Sequence, residues 1–380
     1  MPVKRYNLRI AFSVTNCICN DQRVLKMAEV VSQLGADVTI IGRKMGSCCE
    51  TDNIQFKTMR FSMLYRRGFL FYAFFNFRLF FFLLFHRFDI LVANDLDTLL
   101  PNFIVSRLKR LTLVFDSHEY FTGVPELERR PFIRWLWKTI EKNILPGLKY
   151  TITVSDSIAG QYSLEYGISP LVIKNCSKSA ADIIQYSREE LGINPDHLLL
   201  VLQGTGINIE RGAEELIESC LLNENHSLLI VGTGDIVPVL KDKVKKYNLS
   251  GRIKFFPKVP WEEMMRFTKT ADAGVSLDKN ISINQRFSLP NKIFDYISAG
   301  IPVIAGDLRE VTKIITDFDC GIVVPEITPG EISKTVRLLH GNRELLRKLK
   351  QNARKASEII NWNRESEKVS TFYESIINKK

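Results

Sequence analysis

The sequence lacks the features that define several classes of protein. Its seven cysteines include no pair at the C-x-x-C spacing of zinc sites, so we expect free thiols and no metal site. The residues after Met1 lead into a short apolar strand rather than a secretory signal peptide, which together with free thiols predicts a cytoplasmic protein. With 45% hydrophobic and 25% charged residues, the composition excludes a disordered chain and favours a globular one.

The chain is long for a single hydrophobic core and its charge is uneven. At 380 residues, two domains are expected. Of the net charge of +10, residues 1–175 carry +8 and residues 176–380 carry +2. We therefore expect the N-terminal half to face an anionic partner, such as phosphates or a membrane surface. No RNA- or DNA-binding module is recognisable, so we expect no nucleic-acid partner.

Short apolar strands alternate with helical segments in two successive series. The first series runs from residues 8–14 to residues 171–173, and the second begins at residues 198–202. Such strands with crossover helices predict parallel sheets that are covered on both faces. The predicted fold class is therefore α/β, with two Rossmann-like doubly wound domains that face each other across a ligand-binding cleft.

A polar stretch of small residues at positions 174–182 predicts the domain boundary. We therefore assign residues 1–176 to an N-terminal domain and residues 177–361 to a C-terminal domain. The last helix, within residues 362–380, follows a break at Asn361-Trp-Asn and can return to the N-terminal domain.

Residues Phe69 to Phe85 include nine phenylalanines. As a helix these 17 residues span about 25 Å, short of the ~30 Å hydrocarbon core of a membrane, and Asn76 and Arg78 interrupt them. Two alternatives stay open: a buried core helix, or peripheral membrane contact through the basic, aromatic segment from about Arg66 to Arg87. The positive charge of this half favours contact with the inner face of the cytoplasmic membrane.

The stretch that begins at Ser288 combines a helix start, a short helix, a glycine stop and a buried strand. We expect Ser288 to cap the helix, Pro290 to occupy its first turn and Gly300 to take the left-handed position after it. Lys292 and Asp295 then share one face near the helix N-terminus. Free N–H groups and a lysine attract phosphate, while an aspartate accepts hydrogen bonds from a ribose diol. The stretch predicts a nucleotide site.

A glycine-containing turn, Gln203 to Gly212, connects a strand to a helix. Gly204 and Gly206 allow the backbone to approach a phosphate, and Arg211 adds positive charge near the helix start. The alternative is an ordinary strand-to-helix turn with a surface arginine.

Polar side chains also follow strands of the N-terminal domain. His118 comes directly after the strand that begins at Leu113, where it can hydrogen-bond a sugar or stabilise developing charge. A purely structural role is the alternative. Asp95 and Asp97 follow another strand, and either face an acceptor or cap the next helix.

In this order and spacing, the motifs resemble those of retaining GT-B glycosyltransferases of the family 4 type (glycosyl transferases group 1), in the branch with Leu289-Pro-Asn-Lys. The resemblance covers nearly the whole chain, and includes the segments at residues 21–28, 172–175, 203–212 and 270–275. It implies transfer of a sugar from a nucleotide diphosphate sugar to a glycan or lipid-linked acceptor, with retention of anomeric configuration. It implies no metal and no cofactor, since the nucleotide sugar is a substrate.

The resemblance also implies roles for individual residues. Arg211 stands where the family has a lysine against the diphosphate, Asp295 where an acidic residue holds the ribose, and His118 where a histidine approaches the donor sugar. With Lys292, the implied catalytic residues are His118, Arg211 and Lys292. The implied donor-binding residues are Gly204, Thr205, Gly206, Phe256, Lys258, Ser288, Leu289, Pro290, Asn291, Asp295 and Glu310. The acceptor-side candidates are Asp21, Arg23, Asp95 and Asp97.

Two positions depart from the family pattern. Phe287 stands where the first acidic residue of the donor element is usual, and Gly206 where an arginine is common. Asp278 is then a candidate for the missing sugar-facing carboxylate. Two other functions stay open: a catalytically silent nucleotide-sugar-binding subunit, which Phe287 favours, and a nucleotide-sugar 2-epimerase, for which acid/base candidates are few.

Overall fold

The computed structural model describes residues 8–45 and 54–379. They form two compact units: unit 1 comprises residues 1–174 and 365–380, and unit 2 comprises residues 175–364. Each unit is built on one parallel sheet with connecting helices, so the predicted α/β class with two Rossmann-like domains is confirmed.

Unit 1 contains a seven-stranded sheet in the order β3-β2-β1-β4-β5-β6-β7. Its strands are β1 (Arg9–Ser13), β2 (Asp37–Lys44), β3 (Lys57–Ser62), β4 (Ile90–Asn94), β5 (Thr112–Ser117), β6 (Tyr150–Thr153) and β7 (Leu171–Val172). Its helices are α1 (Gln22–Gln33), α2 (Phe69–Phe85), α3 (Leu96–Lys109), α4 (Pro125–Glu128), α5 (Pro131–Ile144) and α6 (Asp156–Tyr166). Every strand that joins this sheet pairs in parallel with its neighbours.

Strand β3 is absent from our sequence prediction. Its sequence, Lys-Thr-Met-Arg-Phe-Ser, is mostly polar, and only Phe61 is buried. It pairs with one neighbour, β2, and lies at the edge of the sheet. An edge strand is not buried on both sides, so it lacks the continuous apolar run that predicts the central strands.

Unit 2 contains a six-stranded sheet in the order β10-β9-β8-β11-β12-β13. Its strands are β8 (Leu198–Gly204), β9 (His226–Gly232), β10 (Ile253–Phe256), β11 (Ala273–Ser276), β12 (Val303–Gly306) and β13 (Gly321–Val324). Its helices are α7 (Ala213–Leu222), α8 (Val237–Lys246), α9 (Trp261–Thr270), α10 (Ile283–Phe287), α11 (Asn291–Ser298), α12 (Arg309–Phe318), α13 (Pro329–Gly341) and α14 (Arg343–Ile359).

Strand β8 explains why this sheet is buried on both faces. Leu198, Leu200 and Leu202 pack into one hydrophobic cluster, while Leu199 and Val201 pack into the other. Successive side chains of a strand point to opposite faces, so a continuous apolar run serves two cores.

In both parallel sheets the order of the strands reverses beside the first strand, and this reversal locates the candidate sites. In unit 1, β1 lies between β2 and β4, and in unit 2, β8 lies between β9 and β11. In doubly wound sheets, ligands bind outside the carboxyl ends of the strands at such a reversal. The residues to examine are therefore those that follow β1, β4 and β5, and those that follow β8 and β11.

Helix α2 packs into unit 1 along one stripe, as the core-helix alternative predicts, and leaves its other side exposed. Phe71, Phe75, Leu79 and Leu83, spaced by four residues, form its buried stripe. Its opposite side leaves large apolar side chains exposed: Phe69, Leu70, Phe77, Phe81 and Phe85. Across residues 8–45 and 54–379, the structure contains no helix of sufficient length and apolarity to cross a membrane.

The last helix, α15 (Trp362–Ile377), runs largely within unit 1. Its Tyr373 is fully buried and packs near Phe12 of β1, with ring centroids 6.4 Å apart. The neighbouring Phe372 meets Tyr150 of β6 edge to face at 6.1 Å. These aromatic contacts join the end of the chain to the sheet of unit 1.

Our prediction of free thiols is wrong for two cysteines. Cys17 and Cys19 are both disulfide-bonded, whereas the three free cysteines among the described residues, Cys176, Cys220 and Cys320, are buried. Pairing depends on the distance between Cβ atoms in the folded chain, which spacing along the sequence does not reveal. Cys48 and Cys49 lie outside the described residues.

Candidate active site

The turn after β8 brings a glycine-containing loop to the carboxyl edge of the unit 2 sheet. Gly204 has φ +141° and Gly212 has φ +70°, conformations that favour glycine. A Cβ on Gly212 would lie 2.4 Å from Leu277 Cβ, so the loop approaches the segment after β11 too closely for a side chain. Glu210 also has a positive φ, of 66°. Arg211 is therefore held between two left-handed residues.

The second glycine pair, Gly232 and Gly234, has a structural role. A Cβ on Gly232 would lie 1.8 Å from the carbonyl oxygen of Gly204, and one on Gly234 would lie 1.9 Å from that of Ile207. Thr233 N–H donates to Gly204 O at 3.0 Å. These glycines allow the two strand-to-helix turns to pack against each other.

Arg211 and Lys292 converge on one buried carboxylate, Asp278, which follows β11. Arg211 Nη1 donates to Asp278 Oδ1 at 2.8 Å, and Lys292 Nζ lies 3.4 Å from Oδ2. Ser276 Oγ also donates to Oδ2, at 3.2 Å. The side chain of Asp278 is 2% exposed, that of Lys292 14% and that of Arg211 40%. The two cations therefore reach solvent while their shared anion does not.

Asp278 is consequently not the sugar-facing carboxylate that we considered from the sequence. Burial opposes its charge, but Lys292 and Arg211 outweigh burial and hold the pKa of Asp278 below its usual value. Both of its oxygens are occupied by protein groups. Its observable role is to position two cations at the carboxyl ends of β8 and β11.

The start of helix α11 differs from our prediction. Ser288 does not cap it; its hydroxyl donates to Gln285 O at 2.8 Å at the end of the short helix α10. Ser282 caps α10, and Pro290 is the residue before the first turn of α11, with no side-chain cap. Helix α10 has no separate signal in the sequence, so we predicted a helix start at Ser288, where α10 ends. Gly300 has φ +70° directly after Ala299, as predicted.

Asp295 is engaged inside unit 2 rather than turned to solvent. Its Oδ1 accepts from Ser177 Oγ at 2.6 Å and from Trp261 Nε1 at 2.9 Å, and its Oδ2 accepts from Gln203 Nε2 at 3.0 Å. The residue is 7% exposed. This corrects the expectation that its carboxylate is available to a ribose diol: Asp295 ties α11 to β8 and α9.

The other donor-side candidates lie at different depths. Leu289 and Glu310 are buried, and Glu310 lies in the first turn of α12, directly after β12. Asn291 is exposed, and its Oδ1 accepts from Asn175 Nδ2 at 2.9 Å. Phe256 packs on Phe267, with ring centroids 4.4 Å apart. The candidates that are half-buried or exposed are Gly204, Thr205, Gly206, Phe256, Lys258, Ser288, Pro290 and Asn291.

In unit 1, His118 lies between two carboxylates at the end of β5. Its Nδ1 is 3.3 Å from Asp95 Oδ2 and its Nε2 is 3.6 Å from Asp116 Oδ2, while its backbone N–H donates to Asp95 Oδ1 at 2.7 Å. Burial alone would lower the pKa of the imidazole. Asp95 and Asp116 outweigh burial and raise the pKa of His118 to about 9, so the ring is charged at neutral pH.

Asp95 binds His118 instead of capping helix α3. It precedes the helix with φ 59° and ψ 168°, and its side chain makes no capping hydrogen bond. This backbone conformation is nearly restricted to glycine and costs about 1–3 kcal/mol in other residues. Strain of this kind concentrates at functional sites, where the fold holds a side chain in one position.

Arg23 is not available to an acceptor, contrary to our expectation. It is 2% exposed and binds Asp116 through two of its nitrogens, with the shortest contact 2.7 Å from Nη2 to Oδ1. Its Nη1 donates to Ile173 O at 2.8 Å. Arg23 and His118 hold the pKa of the buried Asp116 below its usual range. Asp21 caps helix α1 by accepting from Val24 N–H at 3.2 Å.

Asp97, the fourth acceptor-side candidate, is buried and accepts a hydrogen bond from Thr15 Oγ1. Burial and then the nearby Asp95 raise the pKa of Asp97 to about 8. The carboxyl is therefore largely neutral at pH 7. Among the described residues, no cluster of three or more His, Cys, Asp or Glu side chains is arranged to hold a metal ion.

We expect the ionisation of Asp97 to make stability fall as pH rises. Between about pH 4 and about pH 8, the unfolded carboxyl has lost a proton that the folded one keeps, so the free energy of unfolding decreases with pH. The Asp97→Asn variant, which cannot ionise, should lose this slope, a difference on the order of a few kcal/mol at pH 8. Denaturant unfolding at several pH values measures it. The exposed Glu126→Gln control should keep the wild-type slope, and an unchanged slope in Asp97→Asn would contradict the prediction.

Comparisons with known proteins identify the family and the fold. Residues 22–176 match the family model described as Glycosyltransferase Family 4, and residues 185–356 match Glycosyl transferases group 1. A chitobiosyldiphosphodolichol beta-mannosyltransferase from Debaryomyces hansenii is 30% identical over 148 residues, which cover 36% of this chain and 30% of that protein. This chain spans less than half the length of the curated relatives it matches.

Two solved structures resemble the whole chain in fold. A sucrose-phosphate synthase from Thermosynechococcus elongatus aligns with a TM-score of 0.78 at 15% identity, covering 98% of this chain and 100% of that one. The Anabaena protein HepE, in complex with UDP and glucose, aligns with a TM-score of 0.74 at 14% identity, covering 97% and 100%. The chain belongs to the group 1 glycosyltransferases, with a family 4 N-terminal domain and the GT-B fold.

Proposed function

We propose that the protein transfers a sugar from a nucleotide diphosphate sugar held by unit 2 to a glycan or lipid-linked acceptor, with retention at the anomeric carbon. The observation that carries the proposal is the convergence of Arg211 and Lys292 on Asp278 beside the Gly204 turn. Two cations that reach solvent, next to a glycine turn and a helix N-terminus, form a binding site for a diphosphate.

The chemistry follows from the leaving group. As the bond from the anomeric carbon to the phosphate oxygen breaks, its electron pair passes to the diphosphate, which gains negative charge. Arg211 and Lys292 stabilise that charge, and the N-terminal N–H groups of α11 add to the effect. The acceptor hydroxyl then attacks from the same face, and its proton passes to the departing phosphate oxygen. No protein nucleophile and no metal is needed in this scheme.

For unit 1 we propose a role in sugar recognition through His118. An imidazolium held by Asp95 and Asp116 carries a positive charge that stabilises negative charge as it develops. Two buried groups lie near this arrangement. Arg23 pairs with Asp116, and the neutral Asp97 accepts a hydrogen bond from Thr15.

The proposal predicts nucleotide-sugar binding followed by acceptor-dependent turnover. A thermal-shift screen over nucleotide sugars should identify one donor that raises the melting temperature, since a ligand that binds only the folded state stabilises it. With that donor and a pool of lipid-linked glycans, we expect glycosylated product and free nucleoside diphosphate. An isomeric nucleotide sugar formed without acceptor would indicate an epimerase instead, and binding without turnover would indicate a silent subunit.

We also propose that exposed phenylalanines of α2 touch the membrane that carries the acceptor. Phe77, Phe81 and Phe85, each four residues from the next, lie on one side of the helix with 60%, 39% and 76% exposure. Arg78 is turned inward: its Nη1 donates to Ser62 O at 2.6 Å, and its guanidinium lies 4.8 Å from the Phe61 ring. The outer face of α2 is therefore apolar, as an interfacial helix requires.

Replacing Phe77, Phe81 and Phe85 by serine should reduce binding to anionic vesicles by about a hundredfold or more, because each buried phenylalanine contributes roughly 2 kcal/mol. Flotation with phosphatidylglycerol vesicles measures the loss. A control with three exposed apolar residues of unit 2 changed to serine (Val239, Leu338 and Ile359) should bind as the wild type does. Equal binding by the two variants would refute membrane contact through α2.

A further inference from the structure

Unit 1 has a cationic pocket at the edge of its sheet opposite His118. The pocket has a volume of about 370 Å³ and lies between the end of α3 and the starts of β5 and β6. Thr112 and Tyr150, the first residues of those strands, line it. Because β5 and β6 are parallel, their amino ends share this edge, whereas His118 follows the carboxyl end of β5. The pocket is therefore separate from the site proposed for glycosyl transfer.

Three cations line the pocket, and no carboxylate does. Arg107, Arg110 and Lys149 are among its lining residues. In the described part of the chain, none of the three forms an ion pair, whereas Arg23, Lys57 and Lys138 of the same unit each pair with a carboxylate.

The helix dipole of α3 does not account for all of this charge. Cations in the last turn of a helix are favoured, and that explains Arg107. Lys149, however, comes from a separate segment before β6. Arg110 directly follows α3 with φ 54°, in the left-handed position where glycine or asparagine is preferred. Arginine is unfavourable in this left-handed conformation, and Arg110 lies beside the unpaired Lys149. Together these two features point to an anionic ligand.

Aromatic rings form part of the walls. The guanidinium of Arg107 lies 5.2 Å from the centre of the Phe103 ring, and Lys149 Nζ lies 5.3 Å from that of Tyr150. Tyr150 is in turn supported by Phe372 of α15. On a neighbouring face of α3, Leu100, Ile104 and Leu108 are exposed. The pocket thus offers positive charge next to carbon surface.

We propose that this pocket binds a phosphate-bearing group, of the kind that is carried by an anionic lipid headgroup or by a soluble phosphate ester. Two arginines and a lysine supply the donors that phosphate oxygens accept, and the rings contact the carbon atoms attached to the phosphate. The proposal does not depend on glycosyl transfer.

Two variants of the full chain test the pocket in different ways. Changing Arg107, Arg110 and Lys149 to glutamine removes the charge. Gly147→Phe fills the cavity and keeps the charge; a Cβ there meets only Arg107 Nη2 at 3.5 Å, an ordinary contact. The matched charge control changes the exposed Arg337, Arg343 and Lys355 of unit 2 to glutamine.

Binding is measured with two probes: vesicles of phosphatidylglycerol and phosphatidylcholine, and the soluble headgroup glycerophosphoglycerol. Both titrations are repeated in the Arg211→Gln/Lys292→Gln background, which removes the proposed donor phosphate site. We expect both pocket variants to bind at least about tenfold more weakly than the control. Weaker binding of vesicles alone identifies a lipid source, and weaker binding of the soluble headgroup as well identifies phosphate itself.

Wild-type affinity of Gly147→Phe for both probes would overturn the proposal, because the charge would then act without the cavity. Equal losses in the charge control and the pocket triple variant would overturn it too, since any surface cation would then suffice. Turnover of donor with a soluble acceptor should stay at the wild-type level in Gly147→Phe, which separates this test from that of the proposed function.

Discussion

Replacing Arg211 by glutamine is expected to lower kcat/KM by about three orders of magnitude. The substitution removes the guanidinium that we place against the departing diphosphate, and one such preorganised donor contributes roughly 3–4 kcal/mol to transition-state stabilisation. Arg211 uses one nitrogen, Nη1, for Asp278, so its other N–H groups remain for phosphate oxygens. Steady-state kinetics with the donor found by thermal shift measures the effect.

Arg188→Gln is the matched control for this prediction. Arg188 also pairs with a largely buried aspartate of unit 2, Asp272, so the control breaks a comparable ion pair. Asp272 precedes β11, whereas Asp278 follows it, so the control lies at the other end of that strand. If Arg188→Gln and Arg211→Gln lost activity equally, the loss would reflect a damaged fold, and the diphosphate role of Arg211 would be wrong.

Lys292→Gln extends the test to the arrangement around Asp278. If Arg211 and Lys292 act on one diphosphate, the double variant should lose less activity than the two single losses predict when multiplied. Asp278→Asn removes the carboxylate that positions both cations, and in that background their coupling should shrink. A purely structural role for Asp278 would lower stability but leave the coupling unchanged.

Most of the fold is predictable because its central strands are buried on both faces. A run such as Leu198 to Leu202 has one plausible environment, the middle of a covered parallel sheet. The prediction failed where burial is partial or elements are short. Strand β3 is largely polar, and α10 is a five-residue helix that contains no apolar period. Neither leaves a pattern strong enough to recognise.

The positions of the candidate site residues could be predicted from the sequence, but the side chains that they contact could not. The positions of Arg211, Lys292 and His118 follow from motifs beside strand ends. That Arg211 and Lys292 meet at Asp278 does not, because the three residues come from separate segments: the turn after β8, the first turn of α11 and the segment after β11. The partners of a charged side chain are tertiary contacts, and for that reason Arg23 and Asp295 were assigned to ligands that the fold replaces with protein groups.

Replacing His118 by glutamine is expected to lower kcat/KM by about a hundredfold or more, through loss of a positive charge beside the sugar. The pH profile gives a sharper test of its charge. With a pKa of about 9, His118 stays protonated through neutral pH, so activity should fall as pH rises through about 9. His118→Gln should lack this alkaline limb.

Asp95→Asn should shift that limb to lower pH by about one unit or more. The charge of Asp95 raises the pKa of His118, so its loss moves the pKa of the imidazole towards its ordinary value near 6.5. Asparagine has nearly the same shape as aspartate, so the substitution adds no new steric strain to the backbone conformation of this position. The control Glu165→Gln removes a carboxylate of unit 1 that binds Lys138 and Tyr120 instead, and should leave the limb unchanged. An alkaline limb at the same pH in Asp95→Asn would mean that the charge of His118 does not govern the reaction.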